Sequence, residues 1–155
     1  MWRMSGDVSS YEDFLRAADD NAPLHKFAGP GGFNDPDILI SSSPNSTLSI
    51  TPAQSRTQFN LWTIMASPLL IGANMITISQ WDIATYTNTE LLAVHDDVLG
   101  IQGQRVVGSN LHLNGTVIPG TNVWARFEFE KKRVVLVCVI FLCFLADLSL
   151  TDHLQ

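Results

Sequence analysis

Along residues 9–22, SSYEDFLRAADDNA, apolar Tyr11, Phe14, Leu15 and Ala18 recur three to four positions apart with polar residues between them. That period predicts a helix with one buried face, and Ser9 and Glu12 stand at capping-box spacing at its start. A polar break from Asp19 to Pro23 and a short apolar stretch, LHKFA, lead into the glycine- and proline-rich run GPGGFNDPDIL at 29–39. SSSPNSTLS reads as a surface loop. A second helix is signalled at Thr51, which can cap, with Pro52 at the first helical position and Gln54 completing a capping box. It is expected to reach about Ala66 and to bury Phe59, Trp62, Ile64 and Met65. PLLIG at 68–72, an apolar run between a proline and a glycine, reads as a fully buried strand. A helical or irregular segment follows from Ser79 to about Val94, and from Arg105 the texture changes to short strands: RVVG, LHLNG and NVWARFEF.

Helix, short strand, helix, short strand, helix over the first hundred residues is the texture of βα units around a parallel sheet, and the strands after Arg105 begin a β-rich part. The expected class is therefore α/β. Three such units do not close a barrel, which needs eight. The chain opens directly on an aromatic-plus-charge motif, so it is expected to be cut from something longer.

Composition narrows the function classes. With 46% hydrophobic and 15% charged residues among 155, the chain can build one core. A net charge of −6 argues against a nucleic-acid partner, because phosphate recognition needs clustered Lys and Arg and the one basic run is Lys131-Lys132-Arg133. Cys138 and Cys143 sit in an apolar run without histidine, so no metal site is expected. That run, VVLVCVIFLCFLA at 134–146, is shorter than the roughly 20 residues a membrane helix needs, so no membrane partner is expected. Two glycosylation sequons, Asn45-Ser46-Thr47 and Asn114-Gly115-Thr116, point to a secretory route, although MWRMSGDVSS contains no apolar signal segment. No nucleophile elbow, phosphate-binding glycine loop or dinucleotide fingerprint occurs, so no cofactor is implied.

Carboxylates are the repeated chemistry. Pro36 restricts Asp35 to extended backbone, and an extended Asp35-Pro36-Asp37 would send both carboxylates to one side. The alternative is a tight loop in which Asn34 or Asp35 bonds local amides as an Asx-turn. Asp7, in WRMSGDV just before a capped helix, occupies what would be the carboxyl end of a strand, where barrel sites are built. Arg3 is placed to join it as a sugar-hydroxyl donor or charge partner. Equally, Asp7 could cap the helix with Arg3 exposed. Paired carboxylates are the tools of glycoside hydrolysis.

WRMSGD, AGPGGFNDPDIL, LWTIMASPLLIG and LLAVHDDVLGIQG, in this order across residues 2–126, resemble glycoside hydrolase family 27, the melibiase-type α-galactosidases. The resemblance implies a (β/α)8 TIM barrel followed by an antiparallel β-domain. It places residues 1–103 in the last third of the barrel and 104–130 at the start of the β-domain, leaving 131–155 as an atypical apolar tail. It implies retaining hydrolysis of terminal α-D-galactosyl residues from oligosaccharides or glycoconjugates without a cofactor, with α-N-acetylgalactosaminidase as the neighbouring activity. By the same resemblance Asp7 is the general acid/base, Arg3 and Asp37 contact sugar hydroxyls, and Ile38 stands where methionine is frequent. Asp35 anchors the loop. The family's nucleophile is a second carboxylate on an earlier strand, and none of the aspartates here matches its motif. A catalytically inactive fragment, from an incomplete or mis-spliced product, is therefore the other expectation. His95-Asp96-Asp97-Val98-Leu99-Gly100 departs from the family's common Asn-Gln-Asp-Pro-Leu-Gly. Family and sequons together imply secretory, lysosomal or extracellular placement.

Overall fold

The computed structural model describes residues 1–43, 48, 50–107, 110–113, 116–119, 122–129, 131–139 and 144–148. The sequon asparagines Asn45 and Asn114, most of the SSSPNSTLS loop, and Cys143 lie outside the described residues.

Short parallel pairings carry the first part. Strand β1 (Trp2–Arg3) pairs in parallel with β2 (Asn34–Asp35), Trp2 opposite Asn34 and Arg3 opposite Asp35. Four residues after β2 ends, Leu39 forms a parallel bridge with Ile71, through Leu39 N to Leu70 O at 2.8 Å and Gly72 N to Leu39 O at 3.0 Å. The gap contains Pro36, which has no N–H to offer a ladder.

Helix α1 (Tyr11–Asn21) follows β1. Its cap is Ser10, whose side chain accepts from Asp13 N, so the capping pair stands one residue later than the Ser9/Glu12 spacing predicts. Both frames satisfy the same spacing rule; Ser9 instead donates its hydroxyl to Asp13 Oδ2 at 2.8 Å. Phe14, Ala17 and Ala18 are buried, and Tyr11 and Leu15 pack at the edge of the core. A 3-10 helix at Ala22–Phe27 then leads to the glycine-rich run.

Helix α2 (Pro52–Ile64) is the centre of the molecule. It begins with the expected capping box, Thr51 accepting from Gln54 N while the Gln54 side chain accepts from Thr51 N. It is buried nearly all round, with Phe59, Trp62, Ile64 and Met65 in the core, as the apolar pattern predicts. Its buried polar residues are therefore functional in packing. Gln58 accepts from Ile40 N at 2.9 Å and donates to Ile38 O at 3.0 Å, serving as a one-residue substitute for a β-strand neighbour.

The PLLIG segment departs from expectation. Leu70 and Ile71 are 41% and 43% exposed, and a single bridge represents the strand. A parallel strand is buried when neighbours cover both edges and faces; among the described residues this one has a strand neighbour at Leu39 alone. Downstream, the segment from Ser79 resolves into α3 (Gln80–Tyr86) and α4 (Thr89–His95), with Thr87 ending the first and Asn88 capping the second.

The β-rich part is antiparallel. Strands β3 (Gln104–Val107), β6 (Asn122–Glu128), β7 (Arg133–Val139) and β8 (Phe144–Leu148) form one sheet in the order β3-β6-β7-β8, and β4 (Asn110–Leu113) pairs with β5 (Thr116–Pro119). The described residues of the apolar run, 134–139 and 144–146, are strand. Trp124 and Val135 join the same buried cluster as Phe14 and Trp62, so sheet and helices share one core. Among the described residues no helix is long and apolar enough to cross a membrane.

Candidate active site

The ends of β1 and β2 bring Arg3, Asp7, Asp35 and Asp37 together. Asp35 closes an Asx-turn, its Oδ1 accepting from Asp37 N at 2.9 Å. The backbone therefore turns at Asp37, which has φ +85°, a left-handed conformation that costs an L-residue about 1–2 kcal/mol. This corrects the expectation of a continuously extended Asp35-Pro36-Asp37. The two carboxylates do not act as a parallel pair: one is spent on a local amide, and the other reaches a different segment.

That second carboxylate is buried. Asp37 Oδ2 accepts from Val8 N at 2.7 Å and pairs with Arg3 Nη2 at 2.7 Å. The carbonyl of Asp37 accepts from Trp62 Nε1 at 2.7 Å, tying the left-handed turn to the centre of α2. Asp37 Oδ1 has no protein donor among the described residues. Arg3 Nη2 further donates to Gly6 O at 2.9 Å and to Asp7 Oδ1 at 3.1 Å. One guanidinium nitrogen thus ties the loop from Gly6 to Val8 onto Asp37. The Asp7 side chain is otherwise fully exposed, and the helix cap belongs to Ser10, so Asp7 is not a cap. An exposed pair of this kind contributes at most about 1 kcal/mol, but it restrains the carboxylate, which lies in the loop that follows the C-terminal end of the parallel strand β1.

Ile38 is half-buried and lies over Gly72. A Cβ at Gly72 would come within 2.4 Å of Ile38 Cδ1, so glycine there permits the close approach of the two chain segments. Deeper in, Asn34 donates to Leu24 O at 3.1 Å and to Gln102 Oε1 at 3.0 Å, holding the base of β2. Among the described residues no group of three or more His, Cys, Asp or Glu is arranged to hold a metal ion.

A family model described as alpha galactosidase A matches residues 2–97, more than half of the chain. The chain belongs to this family, glycoside hydrolase family 27. Within the family, an α-galactosidase of Oryza sativa subsp. japonica is 34% identical over 137 residues, covering 87% of this chain and 30% of that protein. An α-N-acetylgalactosaminidase of Gallus gallus is 33% identical over 138 residues, covering 86% of this chain and 33% of that protein. In three dimensions, a family 27 β-L-arabinopyranosidase from Geobacillus stearothermophilus superimposes with a TM-score of 0.72 at 26% identity, over 89% of this chain and 32% of that one. The family 27 chain described here therefore spans about a third of the length of the curated relatives it matches.

Three contacts around the candidate site are not among the site residues expected from the sequence: the Val8 amide, the Trp62 indole and Gln58. A glutamine inside an otherwise buried helix is the one signal that could have pointed to Gln58. Trp62 reads as ordinary core and Val8 carries no signal at all, because an amide or indole N–H gives no sequence mark of its acceptor.

Proposed function

We propose that this chain supplies the acid/base side of a retaining glycosidase site acting on terminal α-D-galactosyl residues of oligosaccharides or glycoconjugates. On this reading residues 1–103 are the last third of a (β/α)8 barrel and 104–130 begin the antiparallel β-domain. The observation that carries it is the Arg3 bridge: Asp7, at the carboxyl end of a parallel strand, is held toward solvent by the guanidinium that also pairs with buried Asp37. The relatives named above, one an α-galactosidase, support the substrate class.

The roles follow from the contacts. Asp7 donates a proton to the departing glycosidic oxygen and then takes one from the water that attacks the glycosyl intermediate. Arg3 orients Asp7 and keeps two of its guanidinium nitrogens, Nε and Nη1, for sugar hydroxyls. Asp37 positions the loop through Val8 N and presents Oδ1 to the sugar, with Ile38 against an apolar sugar edge. Retaining chemistry also needs a nucleophilic carboxylate about 5–5.5 Å from the acid. Asp37 is committed to Val8 and Arg3, so that nucleophile is supplied from outside the described residues. Secretory, lysosomal or extracellular placement is part of the same proposal.

The test is release of p-nitrophenol from the α-galactoside by protein carrying this segment. Asp7→Asn is expected to lower kcat by about 10²–10⁴-fold, with azide restoring turnover and yielding a galactosyl azide of retained α configuration. Unchanged kcat, or no response to azide, would remove Asp7 from the reaction. The second reading, an N-acetylgalactosaminidase, is favoured by the Gallus gallus relative; the ratio of kcat/KM between the two p-nitrophenyl glycosides decides between them.

A further inference from the structure

Helix α2 meets the segment that begins at Asp37 with two side chains from one of its faces. Gln58 and Trp62 stand four positions apart, one above the other on the helix. Trp62 Nε1 donates to Asp37 O at 2.7 Å. Gln58 Nε2 donates to Ile38 O at 3.0 Å, and its Oε1 accepts from Ile40 N at 2.9 Å. Leu39 is held separately, its N–H donating to Leu70 O at 2.8 Å and its carbonyl accepting from Gly72 N at 3.0 Å.

Neither side chain needs its polar atoms to fill the core. Gln58 and Trp62 are both fully buried, and a buried amide or indole N–H is unfavourable unless paired, whereas an apolar side chain fills space without that penalty. The Trp62 ring packs edge-on to Phe14, centroids 6.2 Å apart at 85°, a contact that needs no N–H. Its one polar atom goes to the carbonyl of Asp37, the residue with φ +85° whose carboxylate meets Arg3 and Val8 N. Asp37 is thus fixed at its amide by Asp35 Oδ1 and at its carbonyl by Trp62. Fixing both flanking peptide groups fixes the direction of the Cα–Cβ bond, and with it the carboxylate. The Gln58 bond to the next carbonyl extends the same control to Ile38.

We propose that Gln58 and Trp62 are positioning residues for sugar binding. They act by holding Asp37 and Ile38 in place to face the galactosyl group. The proposal rests on the assignment of Asp37 and Ile38 as sugar contacts.

Trp62→Phe removes the indole donor, and Gln58→Met removes the amide at nearly equal length. Amide hydrogen exchange of the full chain is the first measurement. Protection at Val8 and Asp37 is expected to fall about 5- to 10-fold relative to amides in the last turn of α2, the size of one hydrogen bond. A role in packing alone would lower all of them together. Benzothienylalanine at position 62 keeps the outline of the indole without its N–H, and it is expected to give the same local loss. The second measurement is turnover of p-nitrophenyl α-galactoside by protein carrying this segment. KM should rise about 5- to 10-fold with kcat nearly unchanged, since a displaced sugar contact weakens ground state and transition state alike. A loss of folded molecules would instead lower kcat at constant KM. Uniform loss of protection, wild-type protection at Val8 and Asp37 with benzothienylalanine, or lowered kcat at unchanged KM overturns the proposal. Absence of turnover in the wild type would count against the catalytic reading alone, because exchange reads the Asp37 turn without substrate.

Discussion

Asp37 is the residue at which local and distant forces meet. Its left-handed φ of +85° is unfavourable for a side chain with a Cβ, and it persists because Asp35, Val8, Arg3 and Trp62 hold it from four directions. The sequence marks Asp35-Pro36-Asp37 as unusual and offers both an extended pair and an Asx-turn. Partners 25 and 29 positions away in the chain decide for the turn. Tyr86 shows the same dependence on surroundings. Burial pushes its phenol up to about 12, assisted by the Asp82 charge and opposed by the Ser55 hydrogen bond. A folded-state pKa above the unfolded 10.0 favours the protonated folded form. Its contribution is complete below pH 10 and is lost as pH rises toward about 12, a change of roughly 3 kcal/mol. Denaturant midpoints measured across that alkaline range should fall steeply in the wild type and less steeply in Tyr86→Phe. Equal slopes would dissociate Tyr86 from alkaline unfolding.

At the scale of elements, caps are legible and long-range anchors are not. Thr51-Pro52 and Gln54 declare the start of α2 because a capping box is a local device, complete within four residues. Ser10 in place of Ser9 at α1 is the ambiguity such devices carry when two frames overlap. The anchor of α3 is of another kind. Asp82 is wholly buried, with no basic partner among the described residues, and accepts from Ser42 N and Oγ at 3.0 Å, Ser55 Oγ at 2.6 Å and Ser79 Oγ at 2.7 Å, with Ser43 Oγ at 3.3 Å. Those donors tie the segment after Leu39 and Ile40 to α2 and α3. Asp82→Ala would leave several buried hydroxyls without an acceptor, at a cost of about 3 kcal/mol or more. Asp82→Asn, which keeps one oxygen, should cost less. Chemical denaturation of both variants checks the order, and equal stabilities would show that the serines find other acceptors or water.

For the whole molecule, the junction between helices and sheet rests on two small regions. Gly103 donates its N–H to Ile64 O at 2.8 Å, and an added Cβ would lie 2.6 Å from that same oxygen and 3.2 Å from Ala125 O. Neither is the flexible end of a side chain, so Gly103→Ala must separate α2 from β6. A loss of about 2–3 kcal/mol is expected, read as a lower melting temperature with unchanged helical circular dichroism. An unaltered melting temperature would show that the junction has slack. Arg126 closes the same junction: 3% exposed, it donates to Thr63 O at 3.3 Å in the last turn of α2 and to His95 O at 3.5 Å at the end of α4. A cation at two helix C-termini is favourably placed, although burial still lowers its pKa against the charges of Asp97, Glu128 and Asp96.

The sequence by itself determined what depends on near neighbours. The helix faces around Phe14 and Trp62, the capped start of α2, the βα alternation and the later strands all follow from period and local hydrogen bonding. The motifs around Asp7 and Asp37 also carried the family. Tertiary structure decided which donors each carboxylate meets, because Asp35, Asp37 and Asp82 carry no mark of their partners in one dimension. It also decided the exposure of PLLIG, since an apolar run becomes a buried strand when other chain covers it, and coverage is a property of neighbours rather than of the run.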